Sequence, residues 1–134
     1  MSNWDKIIHV GSSLEPKEGQ YAMFVGRWQP LHLGHQTLFQ QAMDEGKNVV
    51  ICIRDIQPDD KNPFGAEEVK DNIMNHYWQE CIDGKIKVMV IPDICSIEFG
   101  RGVGYDVIER IPPQEIHDIS ATKIREQMKQ EGKL

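Results

Sequence analysis

The stretch Gly26-Arg27-Trp28-Gln29-Pro30-Leu31-His32-Leu33-Gly34-His35 constrains this chain more than any other. It follows a short apolar run of strand character, Tyr21 to Val25. It precedes Gln36 to Glu45, where Leu38, Phe39, Ala42 and Met43 recur with the 3.6-residue period of a helix. The motif therefore belongs at a strand-to-helix turn. The first amides of a helix lack partners within it, and that end of the helix dipole is positive, so an anion, above all a phosphate, is the natural guest. Gly34 removes a side chain where a phosphate would approach the backbone. His32 and His35, three apart, can reach one side of the turn and converge with Arg27. The plainer alternative is a pair of solvated histidines beside an ordinary glycine turn. The combination of strand, Gly-Arg, Pro, His-x-Gly-His and amphipathic helix favours the phosphate site.

At 134 residues the sequence has room for a single domain, 1–134, with residues 1–20 as an N-terminal arm or edge strand built on Ile7-Ile8-His9-Val10. A net charge of -6 argues against a broad nucleic-acid footprint, which needs clustered Lys and Arg, but leaves room for a local basic pocket. Cys52, Cys81 and Cys95 are odd in number and lack C-x-x-C spacing, so they are expected to be buried thiols in a reducing compartment rather than a disulfide framework or zinc site. No basic leader precedes an apolar core and no apolar segment is long enough to span a bilayer. The expectation is a cytoplasmic protein with no membrane partner.

Further along, Gly46 supplies a helix stop and Asn48 to Ile53 reads as a second buried strand. Arg54 and Asp55 follow at its carboxyl end, then a polar loop through Lys61. Ligands of open α/β sheets bind outside the carboxyl ends of strands, so Arg54 and Lys61 lie where a second phosphate could be held. Asn62-Pro63-Phe64-Gly65-Ala66-Glu67-Glu68 opens a helix in which Val69, Ile73, Tyr77 and Cys81 step by four, with Gly84 past its end. Ile86 to Ile91 is a third strand, ended by Pro92-Asp93-Ile94. Asp93 at that edge suits a ribose or metal contact, or simply a strand-terminating turn. Gly100-Arg101-Gly102-Val103-Gly104 follows no clear strand and opens no periodic helix, so a loop is expected there and not a dinucleotide site. Tyr105 to Ile111 reads as a last short strand. The pattern implies an α/β fold: a Rossmann-like open parallel sheet with helices on both faces.

Ile119-Ser120-Ala121-Thr122-Lys123-Ile124-Arg125 is the second informative stretch. Ser120 is a good N-cap, and Ile119 with Ile124 has the spacing of a hydrophobic staple, so a closing helix should start here and run through Met128. Lys123 and Arg125 near its start are placed where the dipole disfavours cations by roughly 0.3–1 kcal/mol each. A bound polyphosphate would reverse that sign.

Together these segments resemble the HxGH nucleotidylyltransferase superfamily, the cytidylyltransferase-like enzymes, and Gly-Arg-Trp-Gln-Pro is most similar to the nicotinamide mononucleotide (NMN) adenylyltransferase branch. Asn62-Pro63-Phe64 and Ala66 resemble that branch's Asn-Pro-Phe-x-Ala-Gly-Glu-Arg segment, although Glu67-Glu68-Val69 stand where the family has Gly-Glu-Arg. The closing heptapeptide resembles the superfamily's Ile-Ser-x-Thr-x-Ile-Arg signature. The resemblance implies a fold shortened by about one strand-helix unit, because only Cys95 to Gly104 bridge a gap where the family places another strand and helix.

What the resemblance implies for chemistry is transfer of a nucleoside monophosphate from a nucleoside triphosphate (NTP), such as ATP, to a phosphate monoester acceptor such as NMN, with release of pyrophosphate. The expected catalytic residues are His32, His35 and Arg125. The expected nucleotide-binding residues are Gly26, Arg27, Trp28, Gly34, Ser120, Ala121, Thr122 and Lys123, and the acceptor residues are Arg54, Asn62 and Asp93. Mg²⁺ is expected to be bound through the NTP phosphates. A small cytidylyltransferase using CTP and an alcohol phosphate, a pantetheine-phosphate adenylyltransferase and a non-catalytic nucleotide-binding protein stay open beside the NMN reading. Exposed Trp and Tyr near the shortened region leave room for a homo-oligomer.

Overall fold

A computed structural model describes residues 5–9, 20–102, 104–112 and 121–132. Its centre is a parallel sheet in the order β2 (Tyr21–Gly26), β3 (Asn48–Asp55), β4 (Ile86–Pro92). The runs Tyr21 to Val25, Asn48 to Ile53 and Ile86 to Ile91 identified in the sequence are these strands. The registers, Ala22 to Val49 to Ile86 and Phe24 to Ile51 to Val88, align their alternate side chains on one face. Against that face pack Phe39 and Ala42 of α1 (Leu33–Asp44) and Val69 and Ile73 of α2 (Ala66–His76), closing a core with Val49, Ile51, Ile53 and Ile86. Phe39 meets Phe24 edge-on at 5.0 Å.

This is the open parallel α/β sheet the sequence implies. Helices were expected on both faces, but α1 and α2 share one, because crossovers of a single hand between strands laid down in steady order, β2 to β3 to β4, return each helix to the same side. On the opposite face Met23 and Met89 stay about half exposed.

The ends of several elements differ from expectation. α1 starts at Leu33, three residues before the periodic run, because His32 caps it. The step-by-four run of Val69, Ile73, Tyr77 and Cys81 divides at Tyr77: its ring enters the core near Phe39 while its backbone, at φ -110° and ψ 32°, leaves the helical region. A short helix α3 (Trp78–Ile82) follows, with Trp78 exposed. Gly46, at φ 85°, ends α1 as expected. Cys52 is buried and Cys81 half-buried, whereas Cys95 is exposed, a correction that follows from its place in the loop after β4.

The N-terminal segment is a strand, β1 (Asp5–His9), which pairs antiparallel with β5 (Asp106–Arg110) in a separate two-stranded sheet, Ile7 opposite Ile108. Between β4 and β5 the described residues contain neither strand nor helix, as the shortened fold requires. The closing helix α4 spans Ala121–Gln130. Ile119 and Ser120, the expected staple and cap, lie outside the described residues. Among the described residues no helix is long and apolar enough to cross a membrane.

Candidate active site

A pocket of about 350 Å³ opens at the carboxyl end of the parallel sheet, lined by Arg27, Trp28, Gln29, His35, Arg54, Lys61, Asn62 and Arg125. β2 ends at Gly26 and so delivers Arg27 to the rim; β3 delivers Arg54 in its last turn of pleat. Lys61 and Asn62 come from a turn organised by Asp59, whose Oδ1 accepts from Lys61 N at 2.9 Å, Asn62 N at 2.7 Å and Asn62 Nδ2 at 3.1 Å. Those bonds, led by the Asn62 amide, hold the exposed Asp59 carboxyl below its ordinary value, with Arg27 contributing. Arg125 reaches the pocket from α4, donating through Nη1 to Gln29 O and through Nη2 to Thr122 Oγ1.

The two histidines form a reciprocal cap. Gly34 N donates to His32 Nδ1 at 3.0 Å, and His32 N donates to His35 Nδ1 at 3.2 Å. With Nδ1 spent as an acceptor on both rings, the neutral imidazoles carry their proton on Nε2. The rings stack, and burial lowers the pKa of both: His32 moves down, and His35 falls to about 4, by desolvation first and the neighbouring His32 second. Both are neutral Nε2–H donors at ordinary pH. The Gly34 amide is therefore committed to the cap, so what α1 offers an anion here is imidazole N–H rather than that backbone N–H.

His32 itself is not among the lining residues; it supports His35 from behind. Trp28, with φ 52°, lies buried over Gly26, donates Nε1 to Cys52 O at 3.1 Å, and meets the His35 ring edge-on at 4.8 Å. Asp93 is also outside the lining. Its Oδ1 accepts from Arg54 at 2.7 Å, and Arg54 also donates to Ile94 O, so Asp93 aims a cation instead of facing the cavity. Thr122 and Lys123 sit exposed in the first turn of α4 without lining the pocket; Ser120 is outside the described residues, and the Ala121 side chain is not described. Sequence reasoning missed Gln29, which is buried, lines the pocket and bonds the main chain of Phe64.

Residues 23–73 match the cytidylyltransferase-like family. This cytidylyltransferase-like segment carries every residue lining the pocket except Arg125. Three curated proteins are similar to parts of the chain. A nicotinamide/nicotinic acid mononucleotide adenylyltransferase of Acinetobacter baylyi is 37% identical over 62 residues, 45% of this chain and 33% of that protein. A nicotinamide-nucleotide adenylyltransferase of Thermococcus sibiricus is 33% identical over 75 residues, 54% of this chain and 40% of that protein. Its counterpart in Methanolobus tindarius is 43% identical over 49 residues, 35% of this chain and 28% of that protein. The matches thus span well under half of each relative.

Proposed function

We propose that the pocket transfers a nucleoside monophosphate from an NTP to a phosphate monoester, with ATP and NMN the leading pair. The observation that carries this reading is the convergence of Arg27, Arg54, Lys61 and Arg125 with the neutral His35 on one cavity at the carboxyl end of a parallel sheet. Four cations around about 350 Å³ fit a ligand with several phosphates, and the three similar adenylyltransferases supply the leading substrate pair.

An oxygen of the acceptor phosphate attacks the α-phosphorus; the bond from that phosphorus to the α–β bridging oxygen breaks, and its electron pair leaves with pyrophosphate. The acceptor is already anionic, so no general base and no covalent intermediate are needed. Alignment and charge neutralisation carry the rate. His35, supported by His32, donates Nε2–H to α-phosphate oxygens as charge builds there. Arg125 receives the leaving pyrophosphate, and Arg27 steers it. Arg54, Lys61 and Asn62 hold the acceptor phosphate.

Mg²⁺ carried by the triphosphate would supply further neutralisation of its charge. The pocket lining includes no carboxylate, and among the described residues no group of three His, Cys, Asp or Glu side chains is placed to hold a metal ion, so the ion would come bound to the triphosphate.

A cytidylyltransferase acting on an alcohol phosphate is the second reading, favoured by the short link from β4 to β5, which leaves out a strand and helix that could select the base. Pyrophosphate release with Mg²⁺, across the four common NTPs with and without NMN or glycerol 3-phosphate, decides between them. Release with ATP and NMN supports the leading reading, and release only with CTP supports the second. Silence in every well, with NTP binding intact, overturns both. His35→Ala should slow release by about 10²–10³-fold with its circular dichroism unchanged.

A further inference from the structure

Gln29 is 4% exposed and sits where both sides of the pocket meet. Its side-chain Nε2 donates to Phe64 O at 2.9 Å, and its Oε1 accepts from Phe64 N at 3.0 Å. A primary amide here pairs with both main-chain groups of one residue, as a neighbouring strand would. Its own carbonyl accepts from Arg125. Phe64 packs on the core and immediately precedes Gly65, the N-cap of α2, which has no side-chain cap of its own. Upstream of Phe64, the Asp59-centred turn presents Lys61 and Asn62 to the cavity.

We propose that Gln29 is a positioning residue that fixes the acceptor side of the pocket, through its amide clamp on Phe64, in register with the triphosphate side, through its carbonyl seat for Arg125. The proposal rests on the transfer reading above. Its chemistry is restrictive. A carboxylate at this position lacks the donor for Phe64 O and an apolar side chain lacks both partners, so one or both main-chain groups are left unpaired where they are partly buried. A residue that only filled space would tolerate methionine.

The side chain and the carbonyl can be separated by experiment, since substitution removes the clamp and keeps the main-chain seat. In the full chain, Gln29→Met should speed amide exchange at Phe64 by tenfold or more and raise the acceptor KM about tenfold, with the NTP Kd within about threefold of wild type. Gln29→Glu, which keeps the acceptor for Phe64 N, should leave that amide protected, so its exchange stays near the wild-type rate if the clamp is what protects it. An acceptor KM that stays at its wild-type value while Phe64 exchanges freely overturns the proposal. So does parallel loss of both substrate affinities together with a fallen Tm, the mark of general destabilisation. If the wild-type protein releases no pyrophosphate with any pair of substrates, the transfer reading falls by itself, while exchange at Phe64 still reads the clamp without turnover.

Discussion

The imidazole rings of His32 and His35 stack with centroids 3.7 Å apart and planes 19° from parallel. Two cations cannot share that contact cheaply, and burial opposes charge on either ring. His35 therefore stays neutral down to about pH 4, while an unfolded histidine takes its proton near 6.5. The unfolded state gains protons first as pH falls. Folding stability should accordingly drop between pH 6.5 and about 4, by on the order of 2 kcal/mol once partial exposure is discounted, and the His35 contribution should be flat outside that window. The imidazole Cε1–H resonances followed from pH 8 to 3 check this. A His35 midpoint at 6.5 or above would remove the basis for a neutral Nε2–H donor.

A second titration lies far from the pocket. Arg110 of β5 grips Glu45 at the C-terminal cap of α1 with two nitrogens, Nη1 to Oε2 at 2.9 Å and Nη2 to Oε1 at 2.8 Å, and Lys47 adds a third bond at 2.8 Å. The Arg110 bond, above all, holds the Glu45 carboxyl at about 2. A lowered carboxyl pKa stabilises the fold above the unfolded value near 4.5, and that gain is lost as pH falls through about 2. Glu45 is close to half exposed, so the gain is about 1 kcal/mol. Glu45→Gln should trail wild type by that amount in urea at pH 7, and the gap should narrow towards zero by pH 2. A gap of equal size at both pH values would show that the carboxylate's charge is not what ties β5 to α1.

The sheet was legible in the sequence because Val49 to Ile53 and Ile86 to Ile91 are apolar runs of strand length bounded by turn residues. The start of α1 was three residues off because histidine is not among the usual capping side chains, yet His32 accepts the capping bond. Arg27, His35, Arg54, Lys61 and Arg125 could be gathered from strand ends and helix starts, Trp28 and Asn62 came only with the family resemblance, and all seven line one cavity. Asp93 could not be assigned its partner, since Arg54 lies 39 residues away and nothing local marks the pair. Gln29 was hidden for the same reason: its bonds to Phe64 cross 35 residues, and a buried glutamine in a turn has no periodicity to announce it. The pairing of β1 with β5 likewise depends on contacts across most of the chain.

Gly26 shows how tightly the turn is built. A Cβ there would lie 3.0 Å from Cε2 and Cζ2 of the Trp28 indole and 3.2 Å from Cη2. The indole has little room to retreat, since its Nε1 is bonded to Cys52 O and its ring also meets Phe39 edge-on at 5.3 Å. Gly26→Ala should therefore destabilise the protein by about 1–3 kcal/mol through overpacking. It should also move the Trp28 indole N–H resonance, identified by its loss in Trp28→Phe. Because the same indole shields His35, letting water past it should raise the His35 midpoint from about 4 towards 6.5. If Gly26→Ala keeps the wild-type Tm with an unmoved indole resonance, the glycine is not required by the indole. If the indole moves while the His35 midpoint stays put, Trp28 is not what keeps that imidazole dry.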